Sequence, residues 1–121
     1  MALKVLAVDD SRTIRDLLSL ALVQAGYEVS LAEDGQAALD MIDAFGPDAV
    51  ISDINMPRLD GFGLIEAVRC KDRFRGTPIL VLTTENAPEL KARARAAGAT
   101  GWIVKPFEAE KLVRALQMIA G

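Results

Sequence analysis

The sequence predicts an α/β fold, a doubly wound five-stranded parallel sheet with helices on both faces. Short β-branched or apolar runs alternate with longer segments whose apolar residues recur at helical spacing, the rhythm of repeated βα units. Four of the five strand-like runs are near-continuous in apolar residues, as strands buried on both faces are. The chain has 121 residues, 51% of them hydrophobic and 26% charged, which is enough for one core and far from the composition of disordered chains. The length therefore predicts a single domain over 1–121.

The first strand is Lys4–Val8, ending in Asp9-Asp10. Ser11 is then available as N-cap for a helix in which Ile14, Leu17, Leu18, Ala21, Leu22 and Ala25 follow the i, i+3, i+4, i+7 template, with Gly26 just past its end. In the second strand, Glu28–Ala32, Tyr27, Val29 and Leu31 alternate with Glu28 and Ser30, which predicts an edge position. Ala38, Met41, Ile42 and Phe45 mark a second helix closed by Gly46-Pro47. The third strand is Ala49–Asp53, and Asp60-Gly61 opens a third helix carrying Leu64, Ile65 and Val68.

The fourth strand is Ile79–Thr83. Ala87–Ala97 reads as a helix whose one large apolar anchor is Leu90, among alanines and Lys91, Arg93 and Arg95, so weak docking is expected, with Glu89–Arg93 as an i, i+4 pair on a solvated face. Trp102–Val104 is the fifth strand, and Ala109, Leu112, Val113, Leu116, Ile119 and Ala120 mark the last helix. Right-handed crossovers and a second strand at the edge favour the flavodoxin-like order 2-1-3-4-5.

Composition removes several function classes. Lys+Arg 14 against Asp+Glu 17 gives a net charge of −3, without the basic excess of a nucleic-acid binder. With no His, the chain offers neither Ser-His-Asp nor Cys-His catalysis, nor a His-ligated zinc site. The lone Cys70 excludes an internal disulfide and is expected to be inert. The N-terminal apolar run Ala2 to Val8 is too short for a membrane span and ends in two acids, unlike a secretory leader, so a cytoplasmic location is expected.

In doubly wound sheets, functional groups collect beyond the carboxyl ends of the strands. Those ends carry Asp9 and Asp10 after strand 1, Asp53 on strand 3, Thr83 on strand 4 and Lys105 after strand 5. With neighbouring strands about 4.8 Å apart, adjacent strands 1 and 3 would gather three carboxylates, which repel unless a cation is bound. Hard oxygen donors suit Mg²⁺, which characteristically shares its coordination with a phosphate. Lys105 would lie about 10 Å, two strand spacings, from Asp53, a gap its side chain largely spans. It precedes Pro106, and a cis bond there would aim the ammonium inward. Asp53 is thus arranged as a nucleophilic phosphoryl acceptor, with Mg²⁺ and Lys105 stabilising the transferring oxygens.

VDDS after strand 1, SDINMPRLDG after strand 3, LTTE at strand 4 and GATGWIVKPF at strand 5 follow one another in the order of a known family. The whole chain resembles the receiver domain of two-component response regulators, and is most similar to the single-domain chemotaxis (CheY-like) group. The resemblance implies that Asp53 is the phosphorylation site. It implies that Asp10, Asp53 and the Asn55 carbonyl ligate Mg²⁺, with Asp9 acting through water. Lys105 and Thr83 would contact the phosphoryl group, Thr83 and Trp102 would form a switch pair, and Asn55 and Glu85 would tune autodephosphorylation. Trp102 stands where many receivers carry Tyr or Phe, and Thr84 where a smaller residue is common, which bears on switch amplitude and access to the site. The implied partners are a histidine kinase of the CheA type, a phosphatase, and a flagellar motor switch protein or another target on the face of helix 4, strand 5 and helix 5. Neither nucleic acid nor membrane is expected, and a monomer is.

Two rival classes meet local obstacles. Aspartate-nucleophile phosphatases of the haloacid-dehalogenase kind carry a second Asp two positions after the nucleophile, where this chain has Asn55. Dinucleotide, flavodoxin-like and P-loop sites cradle phosphate with glycines and backbone N–H groups, whereas the first loop, VDDSR, has two carboxylates and no Gly. Against the bland alternatives, in which Asp9 and Asp10 merely face a helix dipole and Trp102 merely packs, stands their coincidence with Asp53 and Lys105 at one sheet edge.

Overall fold

The computed structural model describes residues 3–120. Five parallel strands, β1 (Lys4–Val8), β2 (Glu28–Ala32), β3 (Ala49–Ser52), β4 (Ile79–Thr83) and β5 (Gly101–Val104), form one sheet in the order β2-β1-β3-β4-β5. The helices between them are α1 (Arg12–Gln24), α2 (Gly35–Phe45), α3 (Gly61–Arg69), α4 (Pro88–Ala97) and α5 (Ala109–Ala120). The predicted fold class and strand order are those observed.

The alternation of side chains along each strand divides the core into two halves. Leu6, Val8, Val50 and Val81 face Ala38, Ile42, Leu64, Ile65 and Val68 of α2 and α3, with Ala94 of α4 in the same cluster. Val5, Ala7, Ala49, Ile51, Leu80 and Leu82 face Leu18, Leu22, Leu112 and Leu116 of α1 and α5. Caps set the helix ends. Ser11, Asp34 and Asp60 each accept a backbone N–H from the first turn of α1, α2 and α3, and Gly46 closes α2 in the left-handed conformation at φ 63.

Several local expectations are corrected. β3 stops at Ser52, so Asp53 lies just beyond the strand, and β5 begins one residue early, at Gly101. β5 is not buried on both faces: it is the second edge strand, its residues half-buried and Val104 exposed. A 3₁₀ turn at Asp72–Phe74, absent from the sequence reading, inserts the buried Phe74 into the core. Arg93 does not pair with Glu89. Its guanidinium lies 4.0 Å from the centroid of the Phe62 ring, a cation–π contact joining α4 to α3. α4 has the predicted thin anchorage, with Ala94 its one buried residue. Arg69 supplements it by donating from Nε and Nη2 to the Gly98 carbonyl at 3.1 and 2.8 Å.

The start of α3 packs against the chain leaving β3. A Cβ at Gly61 would overlap the Asp53 carbonyl oxygen and the Ile54 Cα, both backbone atoms that cannot swing aside. Gly61→Ala is therefore expected to lower stability by about 1–3 kcal/mol, the usual cost of overpacking, despite alanine's better helix propensity. Denaturant unfolding checks this, and an unchanged or raised midpoint would refute it.

Candidate functional site

Strand register builds the site. Val8 of β1 pairs with Ser52 of β3, so the next residues, Asp9 and Asp53, leave the sheet side by side, and the Asp53 N–H donates to the Val8 carbonyl at 3.0 Å. Asp9 is 1% and Asp53 7% exposed, whereas Asp10 is at the surface. One carboxylate oxygen from each of the three lies within 4.8 Å of the others. At the far side, Thr83 of β4 pairs with Val104 of β5, and the Lys105 N–H donates to the Thr83 carbonyl at 2.8 Å. The Lys105–Pro106 bond is cis. The Lys105 side chain crosses the whole gap, its Nζ lying 2.8 Å from Asp53 Oδ2 and 2.6 Å from Asp9 Oδ2.

Backbone donors hold the remaining carboxylate oxygens. Asp53 Oδ1 accepts the N–H groups of Ile54 at 2.6 Å and Asn55 at 3.3 Å, and Asp9 Oδ1 accepts that of Ser11 at 2.9 Å. Asp9 Oδ2 is buried and, apart from its charge contact with Lys105, has no well-directed donor. Burial pushes the Asp9 carboxyl above the ordinary aspartate range, and Lys105 and the Ser11 N–H only partly oppose it. Burial also works against the Lys105 ammonium, but its contacts with Asp53 and then Asp9 prevail and hold its pKa above the usual lysine value. A clustered set of hard oxygen donors, one of them buried without a directed partner, fits a small divalent cation such as Mg²⁺.

The other singled-out residues form a chain beside this cluster. Asn55 Nδ2 donates to Glu85 Oε1 at 3.2 Å, the Glu85 N–H donates to Thr83 Oγ1 at 3.4 Å, and Trp102 Nε1 donates to the Glu85 carbonyl at 3.1 Å. Thr83 is fully buried, its hydroxyl engaged with Glu85 rather than with Asp53, and Glu85 is the hydrogen-bond partner that it shares with Trp102. Trp102 is half-buried against the α3–α4 half of the core. Thr84 is exposed beside them, and Cys70 is exposed on the surface.

Sequence reasoning missed Arg15, whose Nη1 donates to the Asp9 carbonyl at 2.7 Å, and the pair Arg58–Asp34, joined at 2.7 and 3.0 Å. Arg15 lies one helical turn past the Ser11 cap, a position from which reach back to the loop was readable. No local pattern announces Arg58.

Residues 5–117 match the family model described as the response regulator receiver domain. Over 98% of its length the chain is 41% identical to response regulator MprA of Mycobacterium tuberculosis, covering 51% of that protein. The chain thus spans about half the length of the curated relatives it matches. Among solved structures it superposes on the chemotaxis response regulator CheY4 of Vibrio cholerae with a TM-score of 0.94 at 50% identity, covering 98% of this chain and 99% of that one. The receiver domain of a sensor histidine kinase from Pseudomonas aeruginosa, with a magnesium ion coordinated in its active site cleft, gives 0.92 at 28% identity, covering 100% and 99%. The strand order, the acidic cluster at the carboxyl edge of the sheet and these matches lead to one conclusion: the chain belongs to the response regulator receiver domain family.

Proposed function

We propose that this chain is a phosphorylation-activated signalling switch in which Asp53 accepts a phosphoryl group from the phosphohistidine of a sensor kinase. The observation that carries the reading is the Lys105 ammonium, 2.8 Å from Asp53 Oδ2 within a cluster of three carboxylates. The Asp53 carboxylate attacks phosphorus, the P–N bond breaks, the imidazole leaves and takes a proton from solvent, and an acyl phosphate forms on Asp53. Asp10, Asp53 and the Asn55 carbonyl would hold Mg²⁺, with Asp9 acting through water, and the ion when bound neutralises the carboxylates and polarises the phosphoryl oxygens. Lys105 supplies a fixed positive charge to oxygens whose charge rises in the transition state. The protein is a stoichiometric acceptor rather than a turnover enzyme, one that assists its own phosphorylation and dephosphorylation.

The relay to the surface runs through Glu85. A Thr83 hydroxyl that turns to a phosphoryl oxygen releases the Glu85 N–H, while Trp102 holds the Glu85 carbonyl and Asn55 its carboxylate. The β4–α4 segment and the β5 edge then shift together, which changes the face of α4, β5 and α5 that a target reads. Asn55, Glu85 and the exposed Thr84 flank the approach of hydrolytic water.

Likeness to CheY4 supports a regulator acting in the cytoplasm between a CheA-like kinase and the flagellar motor switch, with a phosphatase resetting it. A second reading, a receiver serving a pathway other than chemotaxis, draws on the MprA relatives. The two readings part on binding to a motor switch protein, which only the first requires.

Trp102 is the one tryptophan and reports on the site directly. Beryllofluoride with Mg²⁺ should produce a saturable fluorescence change that is absent without Mg²⁺ and absent in Asp53→Asn. No change, together with multiple turnover of phosphorylated metabolites, would favour a phosphatase instead. Lys105→Ala should slow phosphorylation by a small acyl phosphate by about 10²–10³-fold, the usual loss on removing one preorganised electrostatic stabiliser. A near-normal rate in that variant would remove Lys105 from the chemistry.

A further inference from the structure

The loop from Ile54 to Asp60 carries a device of its own. Arg58 has φ 66, the one non-glycine residue at positive φ among the described residues, and the Leu59 N–H donates to the Pro57 carbonyl at 2.8 Å across it. That is a tight three-residue turn of the strained hand. Glycine would adopt this φ without strain, so the arginine needs something to hold it there. Its guanidinium supplies that, with Nε on Asp34 Oδ2 at 2.7 Å and Nη2 on Asp34 Oδ1 at 3.0 Å, a two-pronged charge-assisted pair.

The two ends of this pair are unlike. The Asp34 side chain is 5% exposed and already fixed, because Oδ1 also accepts the Ala37 N–H at 2.7 Å as the N-cap of α2. The Arg58 side chain is 57% exposed. An immobile acid on α2 therefore anchors the outer tip of a surface loop. The Gly35 N–H adds a second tie to the Leu59 carbonyl at 3.0 Å, and the Gly61 N–H closes the base of the loop on the Ile54 carbonyl at 3.0 Å. Between base and tip lies the short span Asn55–Pro57, whose backbone is tied at one end by the long 3.3 Å bond from the Asn55 N–H to Asp53 Oδ1 and at the other by the Pro57 carbonyl inside the turn, with no hydrogen bond to the Asn55 carbonyl among the described residues. The direction of the Asn55 carbonyl is thus set by where the tip is held.

We propose that the Arg58–Asp34 pair is a positioning device for the divalent-cation site, orienting the Asn55 carbonyl toward the carboxylate cluster from a strained turn. The inference rests on the reading of that cluster as a Mg²⁺ site. Arg58 touches none of the reacting groups and acts only through the loop.

Calorimetric titration of the full chain with MgCl₂ tests it, alongside thermal unfolding of each variant. Arg58→Gly keeps the left-handed turn without strain and removes the guanidinium, while Asp34→Asn keeps an N-cap acceptor and removes the charge. Each should raise the Mg²⁺ Kd about tenfold, the low end of what outer partners of metal ligands contribute, and the double variant should bind no worse than either single. Arg58→Lys should not rescue, since an ammonium cannot make the two-pronged contact. Variants with wild-type Kd and only a lowered Tm would reduce the pair to a helix cap and overturn the inference, as would additive losses in the double variant. A wild-type chain that binds no Mg²⁺ would instead overturn the reading of the site itself, and the inference with it.

Discussion

Two carboxylates buried at neighbouring strand ends need a shared cation, and much of this structure answers that need. The parallel register of β1 and β3 sets Asp9 beside Asp53 where little water reaches them. Lys105 contacts both with its single positive charge, arriving from β5 on the far side of β4. Removing one partner from a buried ion pair costs about 3–5 kcal/mol, because the remaining charge is left uncompensated. The site is therefore stable only in a particular balance of charge, and a change in that balance, by a cation or a phosphoryl group, has to be accommodated by its neighbours. That requirement is the physical basis of a switch.

The accommodating neighbours Thr83, Glu85 and Trp102 lie on or just after β4 and β5, across β3 from β1. Asn55, Thr83 and Trp102 all converge on Glu85, which is bonded through its side chain, its N–H and its carbonyl. A change at any one bond is felt by the segments that follow β3 and β4 and by β5 itself. α4, which this segment leads into, is the most lightly anchored helix, with Ala94 buried, Arg93 over Phe62 and Arg69 on the carbonyl of its C-cap, Gly98. Elements with few buried apolar contacts open at low free energy, which suits the one nearest the relay. The buried strands β1, β3 and β4 place Asp9, Asp10, Asp53 and Thr83, and under the proposed function the lightly anchored α4–β5 edge would carry the response.

Most of the fold was legible because its signals are local and periodic. The alternation in β2, the apolar stripes of α1 and α5, and the caps Ser11, Asp60 and Gly46 each belong to a few consecutive residues. Asp9, Asp10, Asp53, Thr83 and Lys105 were legible as a group because strand ends in a doubly wound sheet share one edge. What escaped depends on tertiary partners. The 3₁₀ turn at Phe74 has no period, the exposure of β5 follows from its place in the sheet rather than its apolar run, and Arg93 chose an aromatic face on α3 over an acid on its own helix. Arg58 was hidden for the same reason, since its conformation is set by an acid 24 residues away.

Reductive trapping of the phosphorylated residue tests the central claim most directly. The chain is treated with a small acyl phosphate and Mg²⁺, reduced with borohydride, which converts an aspartyl phosphate to homoserine, and mapped by peptide mass spectrometry. The account predicts one homoserine, at position 53. Homoserine at position 9 or 10, or at none of the aspartates under conditions that phosphorylate a known receiver, would contradict it.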